Sequence, residues 1–387
     1  MSARPTPTTK EIPSAPERNA YIDALRGWSI LGVVCVHFAG SFVTTDIHAW
    51  SPSFYLGLAL NQLFSFAVPL FVFLSGALAG TSRSTSGLVE YYHGRYRRIV
   101  RPYLLASLAS FFLLNHYVEW QSLPAVGAKL SWLMLRISFY GVEPTLYFIP
   151  LIIQLYILQP ALKSLPSWLQ RIFPSIDIRG WAVILAVAFL GLHVTLGLLC
   201  NRGTLNYYIW GRPNVLFWMF YFFVGLHYRS ILGLLSRRIV GLLAGMSLLG
   251  AIGAMGWNVR HLLDRSVMGA HFEYNRLDFA YARPEMLVYD LWVVLGLASG
   301  VVLGWSSRAN LITYLGRYTL EIYLWHILVL YYGAWRYGEA TGACREIPEL
   351  IVLICVSAAL LIAGLTDLYD RAIAYLRGHR IQIVQAG

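Results

Sequence analysis

The chain has 387 residues, of which 57% are AVILMFWYC and only 13% are charged, against roughly 25% charged in an average soluble domain. Mean hydropathy is +0.57 and the formal net charge is +11. A chain this apolar is excluded from the disordered, coiled-coil and ordinary soluble classes, because it would expose too much apolar surface to stay dispersed in water. The positive-inside bias of a membrane protein explains the basic excess better than nucleic-acid binding does, so nucleic acid is not an expected partner.

Residues 1–20 are polar and Pro-rich and read as a disordered tail without the apolar segment of a secretory signal. Residues 21–373 carry ten apolar stretches long enough to span a bilayer: 21–45, 54–80, 98–116, 145–164, 178–200, 212–232, 239–258, 286–305, 310–335 and 347–373. The segment 128–141 is too short to span and carries two charges, which suits an interfacial or re-entrant piece. Residues 374–387 read as a short tail, with no soluble domain expected after it. The expected fold is therefore an all-α integral membrane protein of about ten transmembrane helices. With the N-terminus in the cytoplasm, eighteen Lys and Arg fall inside, ten outside and two within spans. That bias predicts cytoplasmic termini.

Charges within the spans carry the information, because each is costly and usually faces the bundle or a watery cavity. The first span, IDALRGWSILGVVCVHF, holds Asp23, Arg26 and His37. Eleven residues separate Arg26 from His37, about 20° from a whole number of turns and roughly 16 Å along the axis. The three therefore share one stripe running from the inner interface into the membrane. Taken singly, Asp23 suits a helix N-terminus, Arg26 suits snorkelling to headgroups, and His37 suits a helix–helix hydrogen bond. In the ninth span, LGRYTLEIYLWHIL, Arg317 and Glu321 stand at i, i+4 and are expected to pair on one face, with Glu321 near mid-membrane and His326 further out. That pair reads equally as a structural tie. The third cluster, RYRRIVRPYLL, crowds Arg95, Arg97, Arg98 and Arg101 at the start of the third span. Positive-inside anchoring explains it, as does phosphate capture by Arg forks.

Softer signals are Asn61, Gln62, Ser65, Pro69, Ser75 and Gly76 in the second span and Pro150, Gln154 and Tyr156 in the fourth, which are packing and kink residues by default. The outer loop 259–285 mixes His261, Asp264, His271, Glu273, Tyr274 and Arg276; it reads as a solvated loop before it reads as a sugar-facing surface. The four cysteines show no zinc-type spacing, so no metal is expected. Cys200 and Cys344 both fall on the outer side and are candidates for a bridge, with two free thiols the more expected outcome; Cys35 and Cys355 lie within spans.

These pieces together resemble acyltransferase family 3, the ten-span bacterial membrane acyltransferases that modify carbohydrates. The match rests on YIDALRGWSILGVVCVHF with its Arg-x10-His spacing, on VPLFVFLSGAL, on RYRRIVRPYLL with its Arg-x-x-Arg and Pro-aromatic, and on LGRYTLEIYLWHIL with its Tyr-Leu-x-His. LYFIPLIIQLYILQP and FYFFVGLHYR add weaker support. Tyr147 stands where the family usually has Trp, and the esterase-like domain of some members is absent. The resemblance implies transfer of an acyl group, usually acetyl, from cytoplasmic acyl-CoA to a sugar hydroxyl of an extracytoplasmic or lipid-linked glycan, at the bacterial inner membrane. Acyl-CoA is then a co-substrate, and no cofactor is permanently bound. It implies catalytic roles for His37, Arg26 and Glu321 and acyl-CoA binding by Arg95, Arg98 and Arg101. Asp23, Arg317, His326, Ser75 and Gln154 would support them. Buried Arg, His and Glu also suit a proton-coupled transporter, and a glycan flippase or polymerase would sit in the same setting.

Overall fold

The computed structural model describes residues 19–44, 51–81, 87–266, 280–308, 310–335, 343–344 and 346–386. Among the described residues there are helices and no strands. The long ones are α1 (Ala20–Thr44), α2 (Pro52–Thr81), α3 (88–113), α4 (Phe148–Ile172), α5 (Ile178–Asn201), α6 (Val215–Leu232), α7 (Arg237–Ser266), α8 (Pro284–Leu303), α9 (Thr319–Leu330) and α10 (Leu350–Ala386).

Eight segments are long and apolar enough to cross a membrane: Ala20–Gly40, Pro52–Thr81, Pro144–Ile172, Ile178–Asn201, Tyr207–Leu232, Arg237–Leu262, Pro284–Leu303 and Leu350–Leu376. The other two expected spans, 98–116 and 310–335, are helical but differ from simple apolar rods. Helix α3 carries its arginines in its first half. It also widens into a π-helical turn at Tyr96–Val100, where the Arg101 N–H reaches back to the Tyr96 carbonyl. Pro102 follows at once, and a proline lacks the N–H that would close an ordinary turn. The segment 310–335 is two pieces. Asn310 and Thr313 cap Leu311–Leu315 reciprocally in a capping box, the chain turns through Gly316–Tyr318, and α9 begins only at Thr319. The segment 128–141 is helical as Val126–Leu135 followed by a π turn at Arg136–Tyr140. Helix α10 runs on through the expected C-terminal tail. Residues 1–18 and most of the polar part of the loop 259–285 lie outside the described residues.

Helix α1 is the hub of the bundle, packing against α2, α8, α9, α10 and the Leu311–Leu315 turn. Ile30, Val34, Phe38 and Phe42, four residues apart, are wholly buried on it, as a core stripe requires. At the margin, α7 leaves Leu242, Leu248, Leu249 and Ile252 exposed, the surface a lipid-facing helix presents.

Small residues set the closest approaches. A Cβ on Gly76 would stand 2.2 Å from the Phe222 carbonyl oxygen, and one on Gly225 2.0 Å from that of Phe73. Helices α2 and α6 therefore cross backbone to backbone. The same device holds the broken segment to α1. A Cβ on Gly27 would stand 1.9 Å from the Ile312 carbonyl oxygen, and one on Gly316 1.8 Å from that of Asp23.

Buried polar groups on α2, α7 and α8 satisfy one another. Gln62 Oε1 accepts from Asn258 Nδ2 (3.0 Å) and from Arg283 (2.6 Å). Arg283 also pairs with Glu285 at 3.6 Å, and Ser65 donates to Asp290 at 3.1 Å.

Candidate active site

The expected stripe on α1 exists, and the glycine contacts place its partners. Arg26 lies 3.8 Å from the Asp23 carboxylate, three residues back on the same helix. Because Gly27 and Gly316 let the broken segment press on α1, Thr319 at the start of α9 reaches Arg26, which donates to its hydroxyl. From there α1 and α9 run alongside each other, and His37 meets His326 with ring centroids 5.3 Å apart. The two histidines of separate sequence blocks thus form one pair.

His326 is wholly buried, and its Nδ1 lies 2.7 Å from the Tyr323 carbonyl oxygen. A carbonyl only accepts, so Nδ1 carries the hydrogen, and in a neutral ring Nε2 holds the lone pair. Among the described residues, that buried Nε2 has no hydrogen-bond partner. His37 is only partly covered.

Glu321 departs from expectation. It lies in the first turn of α9, at the Arg26 end of that helix, and the charges acting on it are those of Arg26 and Asp370. Arg317 belongs to the turn before α9, and there is no Arg317–Glu321 ion pair among the described residues. The helical i, i+4 geometry fails because the helix starts two residues after Arg317. Arg317 instead adds its charge near Asp367 of α10, the carboxylate that accepts from Tyr318 at 2.7 Å.

The arginine cluster divides. Arg95 folds over the Tyr156 ring, 4.0 Å from its centroid, and lies 5.3 Å from that of Tyr91, while Tyr91 donates to Gln159 of α4. Arg97, Arg98 and Arg101 are exposed around the π turn. Such widened turns frequently mark functional sites. Helix α2 returns antiparallel to α1, so α3 starts at the same end of the bundle as Asp23 and Arg26. Ser75 is half-buried beside the α2–α6 crossing, and Gln154 donates to the Ser138 carbonyl at 3.3 Å. Neither is in a described contact with the histidines.

Sequence reading missed the groups at the far end of the pair. Arg212 was counted only as an outer-loop charge. It sits in the turn between the short helix Tyr207–Trp210 and α6, with its guanidinium 4.2 Å from the Tyr147 ring centroid and an N–H to the Pro144 carbonyl at 3.3 Å. Its charge acts on His37. Tyr323 stacks 5.7 Å from His326. Glu143 pairs with His116 at 2.8 Å, and its charge reaches His326. Arg212 stands in a Gly-Arg-Pro-Asn turn, and nothing in that sequence announces a folded-in side chain.

The cysteines are free. Cys200 packs with Tyr207 and Ala282, whereas Cys344 belongs to the main core, near the adjoining thiols of Cys35 and Cys355. The considered Cys200–Cys344 bridge is therefore not present, because the two residues lie in separate packing clusters.

Fold and site together define a multi-pass helical membrane protein whose polar stripe leads from an arginine-rich end to a pair of histidines, one of them wholly buried. The model of acyltransferase family 3, an acyltransferase domain, matches residues 19–366. The chain belongs to that family and is a membrane acyltransferase. No curated protein and no solved structure matches it.

Proposed function

We propose that the protein moves an acyl group, acetyl in the first instance, from cytoplasmic acyl-CoA to a hydroxyl of a sugar in an extracytoplasmic or lipid-linked glycan. In this reading both termini are cytoplasmic, α3 and the 310–335 segment complete ten crossings, and the membrane is the bacterial inner membrane. The observation that carries the reading is the His37–His326 pair at 5.3 Å, on a stripe that begins at the end of the bundle where the exposed arginines also lie.

Arg97, Arg98 and Arg101 offer forked donors to the phosphates of CoA, while Arg95, held over Tyr156, fixes the turn. The pantetheine arm then extends along the α1 stripe past Arg26 toward the histidines. His37 takes the proton of the acceptor hydroxyl as oxygen attacks the thioester carbon. His326, whose ring lies against that of His37, orients His37 or shares that proton. Asp23 and Glu321 balance the Arg26 charge at the inner end rather than acting on the reacting atoms.

The test is release of free thiol from acetyl-CoA by native membranes containing the protein, with mass spectrometry of surface glycans from cells with and without it. A transporter or flippase releases no CoA. His37→Ala is expected to lower the rate by about 10²–10⁴-fold, the usual worth of general base catalysis. A folded variant keeping more than about a tenth of wild-type turnover removes His37 from the chemistry.

A further inference from the structure

Arg212 is anchored at both ends. Its backbone N–H donates to the Tyr207 carbonyl at 3.0 Å, and its carbonyl accepts from the Trp218 indole at 2.9 Å. Its side chain reaches over Tyr147 to the Pro144 carbonyl. The phenols of Tyr147, Tyr207, Tyr281 and Tyr323 surround it, and Trp218 packs edge-on against Tyr281 with centroids 5.0 Å apart. No carboxylate pairs with Arg212 among the described residues. Ring faces and carbonyl oxygens solvate a guanidinium but do not neutralise it. A partly covered cation held among aromatic rings without a carboxylate partner is costly to keep, and charges retained at such cost within a helical bundle are functional by default.

The direction of the charge matters as much as its isolation. Arg212 lies on the side of His37 away from Arg26, and Tyr323 bridges the tyrosine cage to His326.

We propose that Arg212 is a catalytic residue that stabilises the oxyanion formed at the thioester carbonyl. This rests on the acyl-transfer reading above. In the step, the acceptor oxygen bonds to the carbonyl carbon, the C=O π pair moves onto its oxygen beside Arg212, and the hydroxyl proton passes to His37. On collapse the C=O re-forms, the C–S bond breaks, and the departing thiolate of CoA takes the proton from His37. The guanidinium gains its anion only while the tetrahedral species exists, so the interaction strengthens in the transition state and not in the ground state.

The experiment compares wild type, Arg212→Gln, Arg212→Lys and His37→Ala in native membranes, by thiol release from acetyl-CoA and from fluoroacetyl-CoA. Binding of the unreactive thioether ethyl-CoA to each purified protein is measured alongside. Arg212→Gln is expected to lower the maximal rate by about 10²–10³-fold, the cost of losing one oxyanion donor, with ethyl-CoA affinity unchanged. Arg212→Lys, which keeps the charge but not the fork, falls between. The Arg212→Gln deficit shrinks with fluoroacetyl-CoA, whose oxyanion is less basic and needs less help. A packing defect would instead depress both donors equally, or weaken ethyl-CoA binding, and either result overturns the proposal. Arg212→Gln turning over like wild type overturns it alone, whereas wild-type membranes that release no thiol overturn the acyl-CoA reading beneath it.

Discussion

Gly27→Ala is the most direct probe of how the site is assembled. The added Cβ would lie 1.9 Å from the Ile312 carbonyl oxygen and 2.8 Å from its carbon. Both atoms are backbone, so no side chain can swing aside. An acceptable contact needs at least 3.0 Å, so α1 and the Leu311–Leu315 turn must part by about 1 Å, the scale of misplacement that costs about 10²-fold in catalysis. That movement also draws Thr319 away from Arg26 and unseats α9, which carries His326. Overpacking of this kind costs about 1–3 kcal/mol in stability. We expect Gly27→Ala to melt at a lower temperature in detergent and to release thiol from acetyl-CoA about a hundredfold more slowly. Gly245→Ala on α7 is the control, since a Cβ there meets nothing within 4 Å, and better helix propensity makes it neutral or slightly stabilising. A Gly27→Ala protein with the melting temperature and turnover of Gly245→Ala would refute the argument that this contact sets the site.

Arg98→Ala and Arg101→Ala should each weaken ethyl-CoA binding about tenfold or more, since a charge-assisted contact is worth ~1.5–3 kcal/mol. Added salt should weaken wild-type binding more than it weakens theirs, and unchanged affinity in both variants would return the cluster to anchoring alone. Arg317→Gln and Glu321→Gln should have additive effects on melting temperature because the two side chains do not meet, while Arg26→Gln with Glu321→Gln should be non-additive; a coupled Arg317–Glu321 cycle would put the break before α9 in the wrong place. All four cysteines should be alkylated in denatured, unreduced protein, and peptide mass spectrometry finding any pair protected until reductant is added would contradict the free thiols.

The helices were legible because their apolar length is a property of local sequence. The α1 stripe was legible because 3.6-residue periodicity alone sets which residues share a face. Periodicity could not show that α9 starts at Thr319, since the break is caused by a long-range contact of Gly316 with Asp23. Carrying the helix back through Gly316 puts Arg317 and Glu321 on one helical face and gives Arg317 a partner it lacks among the described residues. The meeting of His37 with His326 was likewise invisible, since it depends on how α1 and α9 pack, although both residues were singled out separately. Arg212 was missed for a third reason. Its position between two apolar stretches reads as a solvated loop, and only the fold shows the turn tucked under Tyr147.

The counter-charges separate the arginines by role. Arg283 has Glu285 and Gln62 around it, and Arg371 has Asp367 at 2.7 Å. Arg26 has Asp23, Thr319 and the charge of Glu321. Each of these cations keeps a permanent partner, so its electrostatic energy is already settled in the resting protein and changes little during a reaction. A group can accelerate a reaction only through interactions that strengthen in the transition state. Arg26 is therefore better suited to holding α1 against α9 than to stabilising developing charge. Arg212, with aromatic faces and a carbonyl where the others have carboxylates, has the interaction still to make. If Arg26 acts by positioning, Arg26→Lys, which keeps the charge and can still reach Thr319, should retain far more activity than Arg26→Gln, while the corresponding pair at Arg212 should both be slow.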